Sequence, residues 1–333
     1  MPAFLTLVYA DGNGSIFVVR SYQDEDPLPP GSTILSISGE PAAQILTRVE
    51  DCLPADGMNE TFKYFTMNLD FKSVYHDCLD SRESFTIVAR TQDNGIETTR
   101  VVPSKSKEAI QAFKIAHQIV DPHPPLITTS FSKQPGFAAL KIRSFDFDDG
   151  LNAFAERIGR FFQEISDSGI EALILDLRGN DGGAPYAAAH LLGYLIGRPF
   201  RYYSRQSTFL YGDLKKTQPV PDHPFRGDLH VLIDGGSYST TGHFVSLLKG
   251  HGVGTFIGEE SGGSYACNGG YREHRLRNTG IELLLPRATF ITDVRGLPRG
   301  RGIIPDHSVK PDFADLMTGT DPAMETAIDL LRR

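Results

Sequence analysis

A serine beside a glycine-rich turn is the residue in this sequence best suited to chemistry. Ser239 follows the apolar run Val231–Ile233 and the turn Asp234–Gly236, and a helix-like segment begins directly after it. A helix N-terminus leaves backbone N–H groups unpaired, so a hydroxyl placed there lies beside donors that can stabilise an oxyanion. The pattern therefore allows the Ser239 hydroxyl a chemical role at this position. The competing interpretation is structural, because serine is also a favoured helix N-cap.

A second turn of the same kind lies earlier in the chain. The apolar run Leu173–Leu175 leads through Asp176 and Arg178 into Gly182 and Gly183, and another helix-like segment follows. Backbone without side chains can approach a substrate carbonyl closely and offer it a further N–H donor. The two strand–turn–helix units therefore predict one shared site at the carboxyl edge of an open α/β sheet, with Asp176 and Arg178 forming an ion pair there.

The elements that would position this site follow an α/β pattern from Phe137 onward. Phe137–Ile142 predicts a strand, and apolar residues spaced by three and four between Leu151 and Ile165 predict a helix that ends at Gly169. Further strands are predicted at Leu173–Asp176, Phe200–Gln206, Val231–Ile233, Thr255–Gly258, Tyr271–Leu276 and Ile281–Pro286, and helices at Ala184–Leu195, Thr241–Leu248 and Pro322–Leu331.

The region before it is β-rich. A hairpin is predicted around Asp11–Gly14, and Gly31–Gly39 resembles the G-x-x-I-x-x-I-x-G stretch of PDZ domains, although a plain hairpin with a following helix fits nearly as well. Proline-rich residues 121–125 predict a break between domains. The remaining elements predicted here are strands at Phe4–Tyr9, Ser15–Arg20, Phe62–Leu69, Ser84–Thr91 and Glu97–Val102, and helices at Ala43–Val49 and Lys105–Val120.

Composition narrows the class of partner. The chain has 333 residues, is 40% hydrophobic and carries a net charge of -8, which argues against nucleic acid or an anionic membrane as the main partner. Cys52, Cys78 and Cys267 lack metal-ligand spacing, and a Cys52–Cys78 bridge stays open. No apolar run is long enough for a membrane span, and the N-terminus lacks the pattern of a signal peptide.

Four stretches taken together resemble the C-terminal-processing, or tail-specific, serine proteases, a family that includes the tricorn protease core and its bacterial relatives. The stretches are Leu175–Gly183, Val231–Ser239, Ile257–Gly263 and Gly302–Asp306, and they occur in the order of the family. The resemblance, closest to the tricorn-core-like bacterial branch, implies a crotonase/ClpP-like α/β protease core at 136–333. A small β-rich, PDZ-like domain at 1–120 and a linker at 121–135 would precede it.

The resemblance also implies an activity. Ser239 would be the nucleophile of a serine endopeptidase that works through an acyl-enzyme, with oxyanion-hole amides at Gly182, Gly183 and Thr240. The substrate would be a polypeptide bound by its C-terminal tail, and no metal or organic cofactor is implied. The sequence does not indicate an oligomeric state.

The general base departs from the family pattern. Ser264 stands at the position of the base in the lysine-dependent branch, and no lysine lies between Lys249 and Lys310. In the tricorn-like branch the base is a histidine upstream of the PDZ-like segment, assisted by a glutamate where this chain reads Pro298–Arg301. Neither partner is assigned in this sequence. Four residues near the site, none of which we name as base, are His243, His274, Glu259 and Glu260.

Two further hypotheses follow from the unassigned base. One is a catalytically impaired relative that binds peptides or apolar ligands on the same scaffold. The other is that the sequence is part of a longer protein whose upstream portion carries an export signal and the activating histidine, in which case we expect the periplasm or cell surface as its location.

Overall fold

The computed structural model describes residues 2–3, 6–24, 27–92, 95–119, 124–134, 136–147 and 149–332. The chain divides into two compact units. Each unit is discontinuous in sequence and includes a short segment that is flanked in sequence by residues of the other unit. The first unit comprises Met1–Pro54, Lys63–Pro124 and Pro311–Asp321, and the second comprises Ala55–Phe62, Pro125–Lys310 and Pro322–Arg333. Of the predicted linker, residues 121–123 and 135 lie outside the described part.

The first unit is the β-rich region expected before the α/β core. Strands β2, β3, β4, β6 and β7 form an antiparallel sheet in that order, with β5 paired to β4, while β1 pairs with β8. Part of the predicted strand Phe4–Tyr9 lies outside the described residues. The elements up to Ala116 are β1 (Pro2–Ala3), β2 (Thr6–Ala10), β3 (Ile16–Ser21), β4 (Thr33–Ile37), β5 (Glu40–Pro41), α1 (Ala42–Cys52), α2 (Thr61–Leu69), α3 (Phe71–Cys78), β6 (Ser84–Arg90), β7 (Glu97–Pro103), β8 (Lys105–Ser106) and α4 (Lys107–Ala116).

One predicted strand is wrong, because Phe62–Leu69 lies in helix α2. Its aromatic residues favour a strand by propensity, but Asn59 caps the first helical turn by accepting the N–H of Phe62 at 2.8 Å. Only Met67 of this helix is fully buried. The local cap and the packing around Met67 therefore override the intrinsic preference of the segment.

A disulfide joins Cys52 at the end of α1 to Cys78 at the end of α3, with Cα atoms 6.0 Å apart. The structure thus confirms the bridge that the sequence left open. The α1 helix packs Ile45 and Val49, both fully buried, into the core of the unit, so the bridge ties α3 to this core.

The second unit is an α/β sandwich. Beyond Pro125 the strands are β9 (Ile127–Lys133), β10 (Gly136–Ile142), β11 (Ala172–Asp176), β12 (Phe200–Arg201), β13 (Thr217–Gln218), β14 (Asp228–Ile233), β15 (Thr255–Gly258), β16 (Ala266–Gly269), β17 (Arg272–Arg275), β18 (Glu282–Leu285), β19 (Ala288–Ile291) and β20 (His307–Ser308). The helices of this unit are α5 (Gly150–Ser168), α6 (Pro185–Ile196), α7 (Thr240–Gly250) and α9 (Pro322–Leu331), with a short 3-10 helix at Gly212–Lys215. One further helix, α8 (Phe313–Thr318), precedes α9 in the sequence.

Strands β20, β15, β14, β11, β10 and β9 form its main sheet in that order. All neighbours are parallel except β9 and β10. Alternate residues point to opposite faces: Leu175 and Val231 belong to the core that holds α5, α6 and α7, whereas Ile174 and Leu232 pack with α9. Burial on both faces explains the unbroken apolar runs, and the α/β class predicted for this region is confirmed.

Sequence patterns missed or misjudged several strands. The sheet strand β9 lies inside the segment predicted as a linker, where the nearby prolines dominated the prediction. The predicted strand Phe200–Gln206 shrinks to β12, which pairs with β13. Strands β16 and β19 pair with each other, and neither strand was predicted. None of the helices in the described part of the chain has the length and apolarity needed to cross a bilayer.

Helix α8 belongs to the first unit. The side chain of Asp312 accepts the N–H of Asp315 and the side chain of Asp315 accepts the N–H of Asp312, a reciprocal cap that defines the start of the helix. The Phe313 ring stacks on Phe17 of β3, with ring centroids 4.6 Å apart. This contact places a segment from near the end of the sequence on the hairpin formed by its beginning.

Candidate active site

Ser239 occupies the turn between β14 and α7 in a strained backbone conformation. Its φ of 55° and ψ of -121° are rarely adopted by residues other than glycine. The serine stands at the N-cap position of α7, but its side chain makes no capping hydrogen bond. The structure therefore does not support the interpretation of Ser239 as a side-chain cap of the helix. The hydroxyl is half-buried and bonds to no described residue.

The turn after β11 lies directly against this serine. A Cβ atom on Gly182 would come 2.8 Å from the Ser239 Cβ and 2.9 Å from the Thr240 nitrogen. Gly182 also has a φ of 109°, which side chains disfavour. Glycine is required here for both reasons, and the two glycine turns expected to share a site do come together.

The backbone N–H groups of this region differ in whether they have a hydrogen-bond acceptor. The Gly182 N–H donates to the Asn180 Oδ1 at 3.0 Å. The Gly183 N–H has no acceptor among the described residues, and the Thr240 N–H belongs to the first turn of α7, where helix geometry leaves it unpaired. The Thr240 hydroxyl donates to the Gly183 carbonyl oxygen at 2.6 Å. Gly183 and Thr240 thus hold adjacent, available donors next to Ser239.

Asn180 ties the two turns together, and sequence analysis gave it no role. It is fully buried; its Nδ2 donates to the Ile142 carbonyl at 3.0 Å, and its Oδ1 accepts the Thr241 hydroxyl at 2.7 Å. Its own carbonyl accepts the N–H of Tyr238. One amide side chain and its backbone therefore connect β10, the first glycine turn and the start of α7.

Ser237 plays a purely structural part. It is fully buried, and its hydroxyl donates to the Leu177 carbonyl at 2.9 Å. The Asp234 carboxylate accepts the N–H groups of Gly179 and Gly236 at 2.8 and 2.9 Å. Ser237 is therefore buried and hydrogen-bonded, whereas the Ser239 hydroxyl makes no hydrogen bond to a described residue.

The predicted ion pair at the end of β11 is confirmed. Asp176 accepts two hydrogen bonds from the Arg178 guanidinium, both at 2.9 Å, and one from the Lys141 ammonium at 2.6 Å. Burial alone would raise the pKa of Asp176, but hydrogen bonds and positive charges from Arg178 and Lys141 outweigh it and hold the pKa below its usual value. Asp176 is therefore an ionised structural anchor.

Tyr238, which precedes Ser239, is held by the segment Ala55–Phe62. The Phe62 ring stacks on the Tyr238 ring, and the Tyr238 hydroxyl hydrogen-bonds the Asp56 carboxylate. Asn59 and Thr61 fasten the same segment by donating to the carbonyls of Ser261 and Glu260, at 2.9 and 2.8 Å. Residues that the sequence assigned to the PDZ-like domain thus support the residue next to Ser239, the candidate nucleophile. No pattern in the sequence signalled this contact.

A cavity of about 240 Å³ opens beside Ser239. Its lining includes Gly183 and Thr240, so it begins at the candidate oxyanion donors. It continues to Tyr203 and Phe290, which are almost completely buried. Ser239, the candidate oxyanion donors Gly183 and Thr240, and a pocket of side-chain size therefore lie in one site.

His243 lies on the wall of this cavity, one helical turn after Ser239. Its Nε2 is 3.3 Å from the Cys267 Sγ, and its buried Nδ1 has no partner among the described residues. Burial lowers the pKa of the imidazole to about 4, and burial, with a smaller effect of Asp56, raises the pKa of the thiol to about 12. Both groups are neutral at pH 7, and His243 makes no hydrogen bond to the Ser239 hydroxyl.

The other residues weighed as bases are engaged elsewhere. Glu260 accepts two hydrogen bonds from the Arg301 guanidinium and one from the Gly302 N–H. Ser264, at the position of the family's lysine, donates to the Ala266 carbonyl. His274 lies on the exposed β17. Burial raises the pKa of Glu259, which lies 3.9 Å from the Lys310 ammonium.

The described part of the chain holds no cluster of three or more His, Cys, Asp or Glu side chains suited to a metal ion. The side chains described at the site are instead neutral or paired. The arrangement is suited to nucleophilic attack by a hydroxyl with backbone stabilisation of the resulting charge.

Comparisons with known proteins identify the family and the fold. The family model described as Peptidase family S41 matches residues 136–309, slightly more than half of the chain. No curated protein matches the chain. Among solved structures, mature CPAF aligns over 99% of this chain and 81% of its own, with 15% identity and a TM-score of 0.66. A point mutant of CPAF aligns over 100% and 83%, with 14% identity and a TM-score of 0.67, and at this identity both show a shared fold.

Proposed function

Because this chain belongs to peptidase family S41, we propose that it is a serine endopeptidase of the tail-specific type with Ser239 as its nucleophile. The observation that carries the proposal is the conformation of Ser239. A half-buried serine held at positive φ before a helix, with a hydroxyl that caps nothing, has a costly backbone and no described structural role for its side chain.

The chemistry would proceed through an acyl-enzyme. The Ser239 Oγ attacks the carbonyl carbon of a peptide bond while its proton passes to a base, and the carbonyl oxygen becomes an oxyanion. We assign the stabilisation of this oxyanion to the N–H groups of Gly183 and Thr240, with Gly182 shaping the turn. The C–N bond then breaks, the amine leaves with a proton, and water releases the acyl group from Ser239.

Support for a tail-specific substrate comes from the resemblance of Gly31–Gly39 to a PDZ stretch. A domain of that kind would recognise a free terminal carboxylate. Peptides that differ only in a free or amidated C-terminus should be cleaved at different rates, the free form faster. Equal rates would remove the tail-specific part of the proposal and leave the peptidase in place.

A fluorophosphonate probe tests the nucleophile. Labelling of the native protein should map to Ser239 by mass spectrometry and disappear in Ser239→Ala. Ser166→Ala, on the exposed side of α5, is the matched control and should label as the parent does. Absence of labelling in protein whose circular dichroism confirms folding would overturn the assignment.

A second candidate is a binding protein without turnover. It is favoured by one observation: no described side chain that could act as a base bonds to the Ser239 hydroxyl, and His243 is neutral and turned to Cys267. Micromolar or tighter peptide binding that is unchanged by Ser239→Ala, together with no product by mass spectrometry, would support this candidate. Cleavage that depends on Ser239 would exclude it.

A further inference from the structure

The cavity beside Ser239 has a chemistry of its own. We propose that it receives one uncharged aromatic side chain of the polypeptide, the residue whose carbonyl is attacked. The inference rests on the proposed function, because it takes Ser239 as the attacking group. It goes further by naming the kind of residue after which the chain would be cut.

The first support is position. The cavity is lined by Ser239, Gly183 and Thr240 at one end, so a carbonyl placed between these groups would direct its neighbouring side chain into the cavity. A volume of about 240 Å³ suits a single large side chain rather than a whole ligand, since ligand pockets are usually about 300–1,000 Å³.

The second support is the shape of the walls. Tyr203, Tyr211 and Phe290 surround the cavity, with ring centroids 5.6 Å apart for Tyr203 and Phe290 and 5.9 Å apart for Tyr211 and Phe290. Aromatic rings at such separations favour tilted and edge contacts, and a further ring can join the cluster. Tyr211 has a φ of 56°, so its backbone is strained in the position that completes this wall.

The third support is charge. No Asp, Glu, Lys or Arg belongs to the described lining of the cavity. The lining includes His243, which is fully buried, and Cys267, and both side chains are neutral at pH 7. A charged substrate side chain would lose its hydration and gain no partner of opposite sign. Lysine, arginine, aspartate and glutamate are therefore disfavoured.

The test uses the full chain and a series of peptidyl phosphonate diphenyl esters that differ only in the side chain at the reacting residue. We expect the phenylalanine and tyrosine members to label Ser239 at least about tenfold faster than the alanine, lysine and glutamate members. Labelling of Ser239 by a simple fluorophosphonate without this ranking would overturn the inference and leave the nucleophile in place. No labelling by any probe would overturn both.

A pair of variants tests the cavity itself. Asn268→Asp adds a charge at the exposed mouth of the cavity, and its oxygen can still accept the Thr289 hydroxyl, which now donates to Asn268 at 2.8 Å. The lysine probe should gain about fivefold relative to the phenylalanine probe. Thr289→Asp places the same charge on the paired strand, outside this lining, and should shift the ratio less. An equal shift in both variants would contradict the assignment of the cavity.

Discussion

The Phe62 ring stacks on the Tyr238 ring with centroids 4.1 Å apart and planes 20° from parallel. Tyr238 is the residue before the candidate nucleophile, and Phe62 lies at the end of a segment from the first part of the sequence. Since Tyr238 also receives support from Asp56 and Asn180, the strained conformation of Ser239 has supports from several sides. The backbone strain at Ser239 can persist because these contacts hold it.

Phe62→Leu should have a larger effect on the labelling rate of Ser239 than on the free energy of unfolding. Leucine keeps an apolar side chain but loses the stacked geometry, which is worth about 1 kcal/mol beyond burial. We expect a labelling rate several-fold below that of the parent, measured by a fluorophosphonate time course. Urea unfolding measures the change in stability. Phe209→Leu, at an 84% exposed position, is the control. Unchanged labelling of Phe62→Leu would show that the stack does not position Ser239.

Ser239→Gly should be more stable than Ser239→Ala. Both substitutions remove the hydroxyl, but only glycine adopts a φ of 55° without a steric penalty. We expect a difference of about 1 kcal/mol in the free energy of unfolding, measured in urea, and no labelling in either variant. If alanine were the more stable of the two, the serine would not be strained in solution.

Gly182→Ala should be severely destabilising. The new methyl group would come within 3 Å of the Ser239 side chain and the Thr240 nitrogen, in addition to the unfavourable φ of 109°. Gly252→Ala separates the two effects, because Gly252 has a φ of 68° and nothing within 4 Å of an added Cβ. We expect about 1 kcal/mol for Gly252→Ala and about 3 kcal/mol or more for Gly182→Ala by urea unfolding. Similar losses would indicate that the turn yields to the methyl group.

Asp176→Asn should reduce stability in a pH-dependent way. Folding holds the pKa of Asp176 below the value of about 3.9 for an unfolded aspartate, so its stabilisation is present above that value. The stabilisation is lost as the pH falls through the lower, folded pKa. We expect the variant to be about 3 kcal/mol less stable at pH 6, because Arg178 and Lys141 lose their buried partner.

The corresponding measurement is urea unfolding of both proteins between pH 6 and pH 2.5. The difference between them should shrink toward the acidic end. Asp213→Asn, which removes an exposed partner of Lys216, is the control and should follow the parent at every pH. A difference that stays constant with pH would assign the loss to packing rather than to charge.

The sequence predicted the site from strong local signals. Apolar runs that end in glycine turns located β11, β14 and the start of α7, and the turns around Gly182 and Ser239 do meet. Both strands are buried on both faces, so their apolar residues form unbroken runs that consecutive positions reveal. The same reasoning found α5, whose apolar residues recur along one face and whose end is marked by Gly169 with a φ of 62°.

Long-range contacts could not be predicted in this way. Asn180 makes three polar contacts with segments that are distant in the sequence, at Ile142, Tyr238 and Thr241. The stack of Phe62 on Tyr238 also leaves no local pattern. The near-match to a G-x-S-x-G motif at Gly235–Ser239 is centred on Ser237, and it fails because its last position is a serine instead of glycine. The motif therefore did not predict a strained backbone at the serine, although Ser239 has a φ of 55°.

The segment Ala55–Phe62 has a practical consequence for taking this molecule apart. A truncated protein beginning at Pro125 would lose the ring beneath Tyr238 and leave the Glu260 and Ser261 carbonyls without their donors. A functional fragment would need that short strip supplied as a separate peptide or grafted onto a new terminus. A chimera of two homologues would likewise need Ala55–Phe62 and Ser239 to come from the same parent protein.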